Sequence, residues 1–474
     1  MALHAARRPA SLLRWAASRG LLATWFAGQP TVLLVASPAV LGPALGVRID
    51  DFRLPGYAVF YASRGSGHVP GALGGDVAAV GRITSFGHVR PEGVPVGGLA
   101  PGGFVDAYNI RPLWNRGDLG RGETIVFFEV DGYSPADLSA YAAKLGLPAF
   151  ADPLPHIGAL NQKVLGESDM DIEVAHALAP DANLVYLNLN AFGGKNASVA
   201  SQFQQAFSTV AQDYPGAIWS VSLGQCEGIF SSTDLAAVNN AVKLAEQGGT
   251  SAFVASGDSG GLECLGIHSA NAQIPAEGIS FPGDLPQMTS VGGTALALTT
   301  AGRYLGETSW TEPLLSQGST GGQSKVFSQP PWQRAPGVSS SYSDGAFCGQ
   351  PSGGYCREVP DVAADAAPSS GASVRVNGRW LSEGGTSLAT PVWAALTSLI
   401  DEYLRSRGDK PVGFANPLLY RLASGSQRPP ALRDVTVGGN DFYPASPGYD
   451  MVTGLGTPDA WNLARDLAPL VGRS

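Results

Sequence analysis

Charge is scarce in this chain. Asp, Glu, Lys and Arg make up only 15% of its 474 residues, and their balance is acidic, at −9. No basic stripe stands out, so the electrostatic footprint of a nucleic-acid-binding protein is missing. Disorder is excluded as well, because 44% of the residues are hydrophobic and the length suffices for a large core. Cysteines are few: Cys226, Cys264, Cys348 and Cys356. None forms a C-x-x-C and no histidine cluster accompanies them, which argues against zinc. Cys348 and Cys356 bracket a short loop and suit a local disulfide, and Cys226 and Cys264 each follow a strand end and suit a second. Three pairings stay open, as do free buried thiols. Beyond the N-terminal region, no apolar run approaches the roughly 20 residues that a membrane helix needs.

What is abundant is glycine (62) and proline (35), the composition of a compact, loop-rich protein. Residues 1–45 are Arg-rich (Arg7, Arg8, Arg14, Arg19) and contain no acid. An apolar stretch from Leu21 to Leu45 follows, broken by Pro30, Pro38 and Pro43. It reads as an export signal or a membrane-anchor-like extension, so the expected location is extracellular, with N-terminal anchoring as the alternative. Residues 46–100 are Gly- and Val-rich with weak strand patterning, a short pro-region or linker without an assignable role.

From about residue 101 the pattern becomes regular. Thr124–Val130 is read as a continuous apolar run and hence a buried strand. Ser134-Pro135 opens a helix through about Leu145. Strands are expected at 184–189, 218–223, 251–255 and 288–291, and helices at 197–213 and 233–247. Strands alternating with helices predict an α/β fold, a parallel sheet with helices on both faces and its site at the carboxyl ends of the strands. Residues 310–360, rich in Gly, Ser, Pro and Gln, are expected to be a long surface region shaping a cleft.

Three stretches carry chemistry. The first is Gly384-Gly385-Thr386-Ser387-Leu388-Ala389-Thr390-Pro391, a tight turn entering a helix. Pro391 is expected in the first helical turn, ahead of a buried apolar helix over Val392–Ile400. Ser387 then sits at a helix N-terminus, where backbone N–H groups favour developing negative charge. It reads as a nucleophile, or more plainly as an N-cap. The second is Gly166-Glu167-Ser168-Asp169-Met170-Asp171, opening a helix on which Glu167 and Asp171 share one face. The third is Ala255-Ser256-Gly257-Asp258-Ser259-Gly260, directly after a strand, with Asp258 between glycines.

A nucleophilic serine needs a base. None of the six histidines (His4, His68, His88, His156, His176, His268) lies in the His-Gly-Thr context of a subtilisin-type enzyme. His176 reads as a partly exposed helix residue. Together the three stretches resemble the sedolisin family, the serine-carboxyl peptidases. Glu167 and Asp171 match that family's E-x-x-x-D helix, Asp258 its S-G-D segment, and Gly384–Pro391 its nucleophile motif. Ser222–Glu227, Val291–Thr294, Pro330–Gln333 and Val359–Ala366 look familial too.

The resemblance implies a subtilisin-like fold and an acid-acting serine-type endopeptidase. Ser387 would be the nucleophile, Glu167 the general base, Asp171 its orienting partner and Asp258 the oxyanion donor. It implies protein or peptide substrates and a monomer, and leaves internal cleavage and tripeptide release both open. It also implies a Ca²⁺ site after residue 433, with Asp434 and Asp450 as carboxylate ligands and backbone carbonyls from Val435, Ser446 and Gly448. Ser168 stands where the family usually has Trp, Ser446 where Gly is usual, and residues 1–100 are shorter than the usual propeptide. The competing readings are a His-dependent serine protease and a non-catalytic binding protein on a protease scaffold.

Overall fold

The computed structural model describes residues 2–3, 8–25, 32–52, 60–64, 67–80, 83, 98–193, 197–264, 268–269, 272–273, 278–299, 301–312, 317–335, 340, 345–350, 354–425, 429–440 and 442–473. His4 and His88 lie outside them, as does Arg7 of the N-terminal reading.

At the centre is an eight-stranded sheet. Its strands are β1 (Thr124–Glu129), β2 (His156–Ile157), β3 (Asn183–Asn188), β4 (Ile218–Val221), β5 (Ser251–Ala255), β6 (Thr289–Leu298), β7 (Tyr304–Ser309) and β8 (Val362–Asp365). The order is β7-β6-β5-β4-β1-β3-β2, with β8 also pairing with β6. All ladders are parallel except β6–β7. Parallel strands need covered faces, and alternate side chains along β1 serve the two. Ile125 and Phe127 join one core, with Tyr186, Phe253, Leu388, Val392 and Trp393. Val126 and Phe128 join the other, with Phe203, Phe207, Trp219 and Leu235. In the second core Phe128, Phe207 and Trp219 have ring centroids 5.0–5.3 Å apart. Such aromatic pairs add roughly 0.5–1.5 kcal/mol each beyond area burial.

The helices that matter here are α1 (Pro135–Leu145), α2 (Glu167–Leu178), α3 (Val199–Asp213), α4 (Ser232–Gln247) and α5 (Thr386–Ser406). α3 and α4 cover one face; α2 and α5 pack together on the other. Ser134 caps α1 by accepting from the Asp137 N–H at 3.2 Å, as its Ser-Pro start predicts.

Three expectations need correction. Thr124–Val130 is not continuously apolar, because Glu129 closes β1 as a fully buried acid. α5 begins at Thr386, ahead of the apolar run, which leaves Pro391 beyond the first turn and inside the helix. The 310–360 segment is largely internal where described: Trp310, Thr320, Ser324, Gln333, Arg357 and Glu358 are buried. It also holds an antiparallel pair, Gly322–Ser328 with Cys356–Val359. Arg357 and Asp361 form a buried ion pair at 2.6 Å, whose charges compensate each other away from water.

Both disulfides form, Cys226–Cys264 and Cys348–Cys356. The N-terminal apolar stretch divides into a hairpin (Leu22–Trp25 with Val32–Val35) and a short helix, Pro38–Leu45. Among the described residues no helix is long and apolar enough to cross a membrane.

Candidate active site

Each chemical stretch lies where a chain segment leaves the sheet or enters a helix facing it. β5 ends at Ala255, and Asp258 follows after Gly257, whose φ of +108° places it in the left-handed region. Asp258 Oδ1 accepts two bonds from Thr386, from its N–H at 2.8 Å and its hydroxyl at 2.8 Å. The Thr386 hydroxyl in turn accepts from the Gly257 N–H at 3.1 Å. A Cβ on Gly385 would stand 2.7 Å from Asp258 Oδ2, so only glycine lets this acid abut the turn before Ser387. With Oδ1 occupied as a double acceptor, a proton on Asp258 belongs on Oδ2. Burial raises its pKa and favours that proton.

Ser387 is the second residue of α5. Its hydroxyl faces Glu167, the first residue of α2, closely enough to lower that carboxyl's pKa, and Glu167 Oε1 is buried without a hydrogen-bond partner among the described residues. Burial pushes the Glu167 carboxyl up to about 8; the Ser387 hydroxyl opposes this, and Asp258, Asp131 and Glu383 add to it. Asp171, one turn along α2, is fully buried and raised by burial and then by Glu167. The Ser222 hydroxyl, just past β4, lies 2.5 Å from Asp171 Oδ2 and 3.2 Å from the Ser387 carbonyl. Glu167, Asp171, Asp258 and Ser387 thus lie at one locus.

Sequence reasoning missed four participants. Glu129 sits at the carboxyl end of β1, raised by burial and by the fields of Asp171, Glu167 and Asp131. Asp131 binds the start of α2. Ser222 was passed over within a stretch noted only as familial, and Glu383 lies just before the Gly384 turn. An acid closing an apolar strand was the available signal for Glu129.

Among the described residues, no histidine hydrogen-bonds to this group. His176 is buried rather than partly exposed; its Nε2 lies 2.8 Å from the Pro148 carbonyl and its ring packs on Phe150. His156 Nδ1 lies 3.0 Å from the Leu154 carbonyl.

A second polar locus joins two C-terminal loops. Asp434 Oδ2 accepts from the Gly448 N–H at 2.8 Å. Asp450 Oδ2 accepts from the Ser446 N–H at 2.8 Å, and its Oδ1 from the N–H groups of Val452 and Thr453. The Thr453 hydroxyl reaches the Val435 carbonyl at 3.5 Å. Burial raises both carboxyls, Asp450 to about 7, and neither has an ion-pair partner among the described residues. The exposed Asp434 and the buried Asp450, without a cation and with the Val435 carbonyl nearby, are oxygen donors of the kind a hard cation takes. Among the described residues, no group of three or more His, Cys, Asp and Glu gathers at one point.

The subtilase family (Peptidase_S8) matches residues 159–410, a span holding all four central residues. Kumamolisin of Bacillus sp. (strain MN-32) is 34% identical over 372 residues, covering 74% of this chain and 61% of kumamolisin. Sedolisin of Pseudomonas sp. (strain 101) is 30% identical over 308 residues, covering 63% of this chain and 49% of sedolisin. The chain therefore spans about half to three fifths of the length of these relatives. The structure of Pseudomonas sedolisin, a serine-carboxyl proteinase in complex with pseudo-iodotyrostatin, aligns with a TM-score of 0.64 at 26% identity, covering 79% of this chain and 99% of that one. The chain belongs to the subtilase family, in its sedolisin branch of serine-carboxyl peptidases.

Proposed function

We propose that this chain is an acid-acting serine-carboxyl endopeptidase that hydrolyses peptide bonds through an acyl-enzyme on Ser387. The observation that carries the reading is Asp258 bonded to the turn just before Ser387, with the buried carboxyls of Glu167 and Asp171 beside the same serine. Ser387 Oγ attacks the scissile carbonyl carbon while Glu167 takes its proton, with Asp171 holding Glu167 in place. The oxyanion accepts from the Asp258 O–H and the Ser387 N–H, a first-turn donor without a partner inside its helix. Collapse expels the amine, which takes the proton from Glu167. Water then attacks the ester, passing a proton to Glu167, and collapse returns it to Ser387 with release of the acid.

The protonation states set the pH range. The base must be ionised and the donor must not be, so the cluster works carrying part of its full negative charge. Burial and mutual repulsion hold off its complete ionisation, and acid favours the working state.

A Ca²⁺ ion at Asp434 and Asp450, with carbonyls of Val435, Ser446 and Gly448, would fasten the two loops. Protein or peptide substrates and a monomeric enzyme complete the reading. Export suits a chain with two disulfides, which persist in oxidising compartments.

The test is hydrolysis of a denatured protein from pH 2 to 8 by wild type, Ser387→Ala and Glu167→Gln. Expected is an acid optimum and, in each variant, a loss of at least about 10⁴-fold. Activity peaking near neutrality, or indifferent to either change, overturns the reading.

A further inference from the structure

We infer that Asp131 is a positioning residue of this site: its carboxyl holds the first turn of α2 on both sides of Glu167, and with it the base. The inference rests on the serine-carboxyl reading and extends it to a residue outside the E-x-x-x-D pattern.

The geometry comes first. Asp131 lies two residues beyond β1 and is 2% exposed. Its Oδ2 accepts from the N–H groups of Leu165 at 2.9 Å and Gly166 at 3.1 Å. Its Oδ1 accepts from the Ser168 N–H at 3.2 Å and the Ser168 hydroxyl at 2.6 Å. These donors bracket Glu167 on both sides. Gly166 has φ +113° and caps α2 without a side-chain bond of its own, so Asp131 supplies from another segment the acceptor that α2 lacks.

Asp131 is itself held from several sides. The Tyr186 hydroxyl donates to its carbonyl at 2.6 Å, and the next N–H, of Gly132, donates to the Lys163 carbonyl at 2.9 Å. A Cβ on Gly132 would stand 1.9 Å from the Asn161 carbonyl oxygen, so the chain passes here only as glycine. Ser168 furnishes the hydroxyl that completes the cradle.

The electrostatics follow. Three N–H groups and a hydroxyl at the head of α2 all point at the Asp131 carboxyl. The groups facing it are Glu129 from β1, Glu167, Asp169 and Asp171 from α2, and Tyr186 from β3; the field of Asp131 raises each. No cation pairs with Asp131 among the described residues. Asp258, by contrast, is governed by burial and by Thr386. The charge at 131 therefore acts on the base and leaves the oxyanion donor alone.

The experiment is the pH profile of kcat/KM for the full chain, as wild type, Asp131→Asn, Asp131→Ser and Ser168→Ala. Both neutral variants should lower kcat and move the acid limb to lower pH by about half a unit or more, with the alkaline limb in place. Ser168→Ala retains the charge and should lower kcat several-fold with both limbs in place. An unmoved acid limb in the neutral variants, or an equal shift in Ser168→Ala, overturns the inference. If neither neutral variant folds, Ser168→Ala decides by itself: kcat within twofold of wild type overturns the inference, and a larger loss with both limbs in place supports it. Failure of the serine-carboxyl reading is a separate outcome, seen as hydrolysis that survives Ser387→Ala.

Discussion

Pro391 stands one turn after Ser387 in α5 and brings no N–H to the Ser387 carbonyl; the Ser222 hydroxyl, 3.2 Å away, faces that carbonyl instead. One hydroxyl proton cannot serve both the Ser387 carbonyl and Asp171. A protonated Asp171, which its burial favours, donates to Ser222 and frees the Ser222 proton for the carbonyl. The state of the orienting acid is thereby tied to the backbone of the nucleophile. Ser222→Ala should lower kcat by about tenfold or more, as expected when a buried acceptor loses about 1–3 kcal/mol of compensation. Pro391→Ala restores a helical donor, so the double variant should recover part of that loss. A double-mutant cycle measures this, and strict additivity refutes the link.

Asp258 is assigned as the donor whose proton disappears on the alkaline side. An amide donates at every pH and keeps an oxygen for Thr386. Asp258→Asn should therefore move the alkaline limb upward, whereas Asp258→Ala should cost about 10²–10³-fold in kcat. An Asn variant with the wild-type alkaline limb would place that limb elsewhere.

Stability should favour acid. Burial raises Glu173 and Glu246 to about 9, Glu358 and Asp365 to about 8, and Asp401 to about 7. Unfolded carboxyls titrate near about 4. Between those limits the folded state binds more protons, so unfolding free energy falls as pH rises. The contribution is fully present below about pH 4 and is lost as pH climbs through 7 to 9. Tm by calorimetry should be higher at pH 4 than at pH 8, and Glu246→Gln should flatten the slope. A Tm that climbs with pH contradicts this.

The calcium reading is checked by thermal unfolding with and without a chelator, alongside metal content. Chelation should lower Tm, calcium should restore it, and Asp434→Asn or Asp450→Asn should abolish the response. A chelator-insensitive Tm together with no bound calcium removes the site.

Much of the architecture was legible because parallel strands buried on both faces leave compact apolar runs. The strand at Ser251–Ala255 matches its reading, and the helix ending at Gln247 begins one residue early. β6 outran its expectation because its second half pairs with β7, an edge contact that β-periodicity alone does not reveal. Glu167, Asp171, Asp258 and Ser387 stood out in the sequence because their stretches resemble a family's motifs, and the fold places them at one locus. Glu129, Asp131 and Ser222 did not stand out: each is an ordinary residue near a strand end, and its meaning comes from contacts made across the fold. Pro391 misled in the other direction, since proline marks a helix start only when no neighbouring side chain takes over the missing donor's work.

The acid at the head of α2 and the hydroxyl at the head of α5 come together only after β3 through β8 have been laid between them in the chain. A ribosome-bound fragment that stops short of residue 386 holds an acid with nothing to deprotonate. On the serine-carboxyl reading, chemistry therefore waits until the chain has passed residue 387.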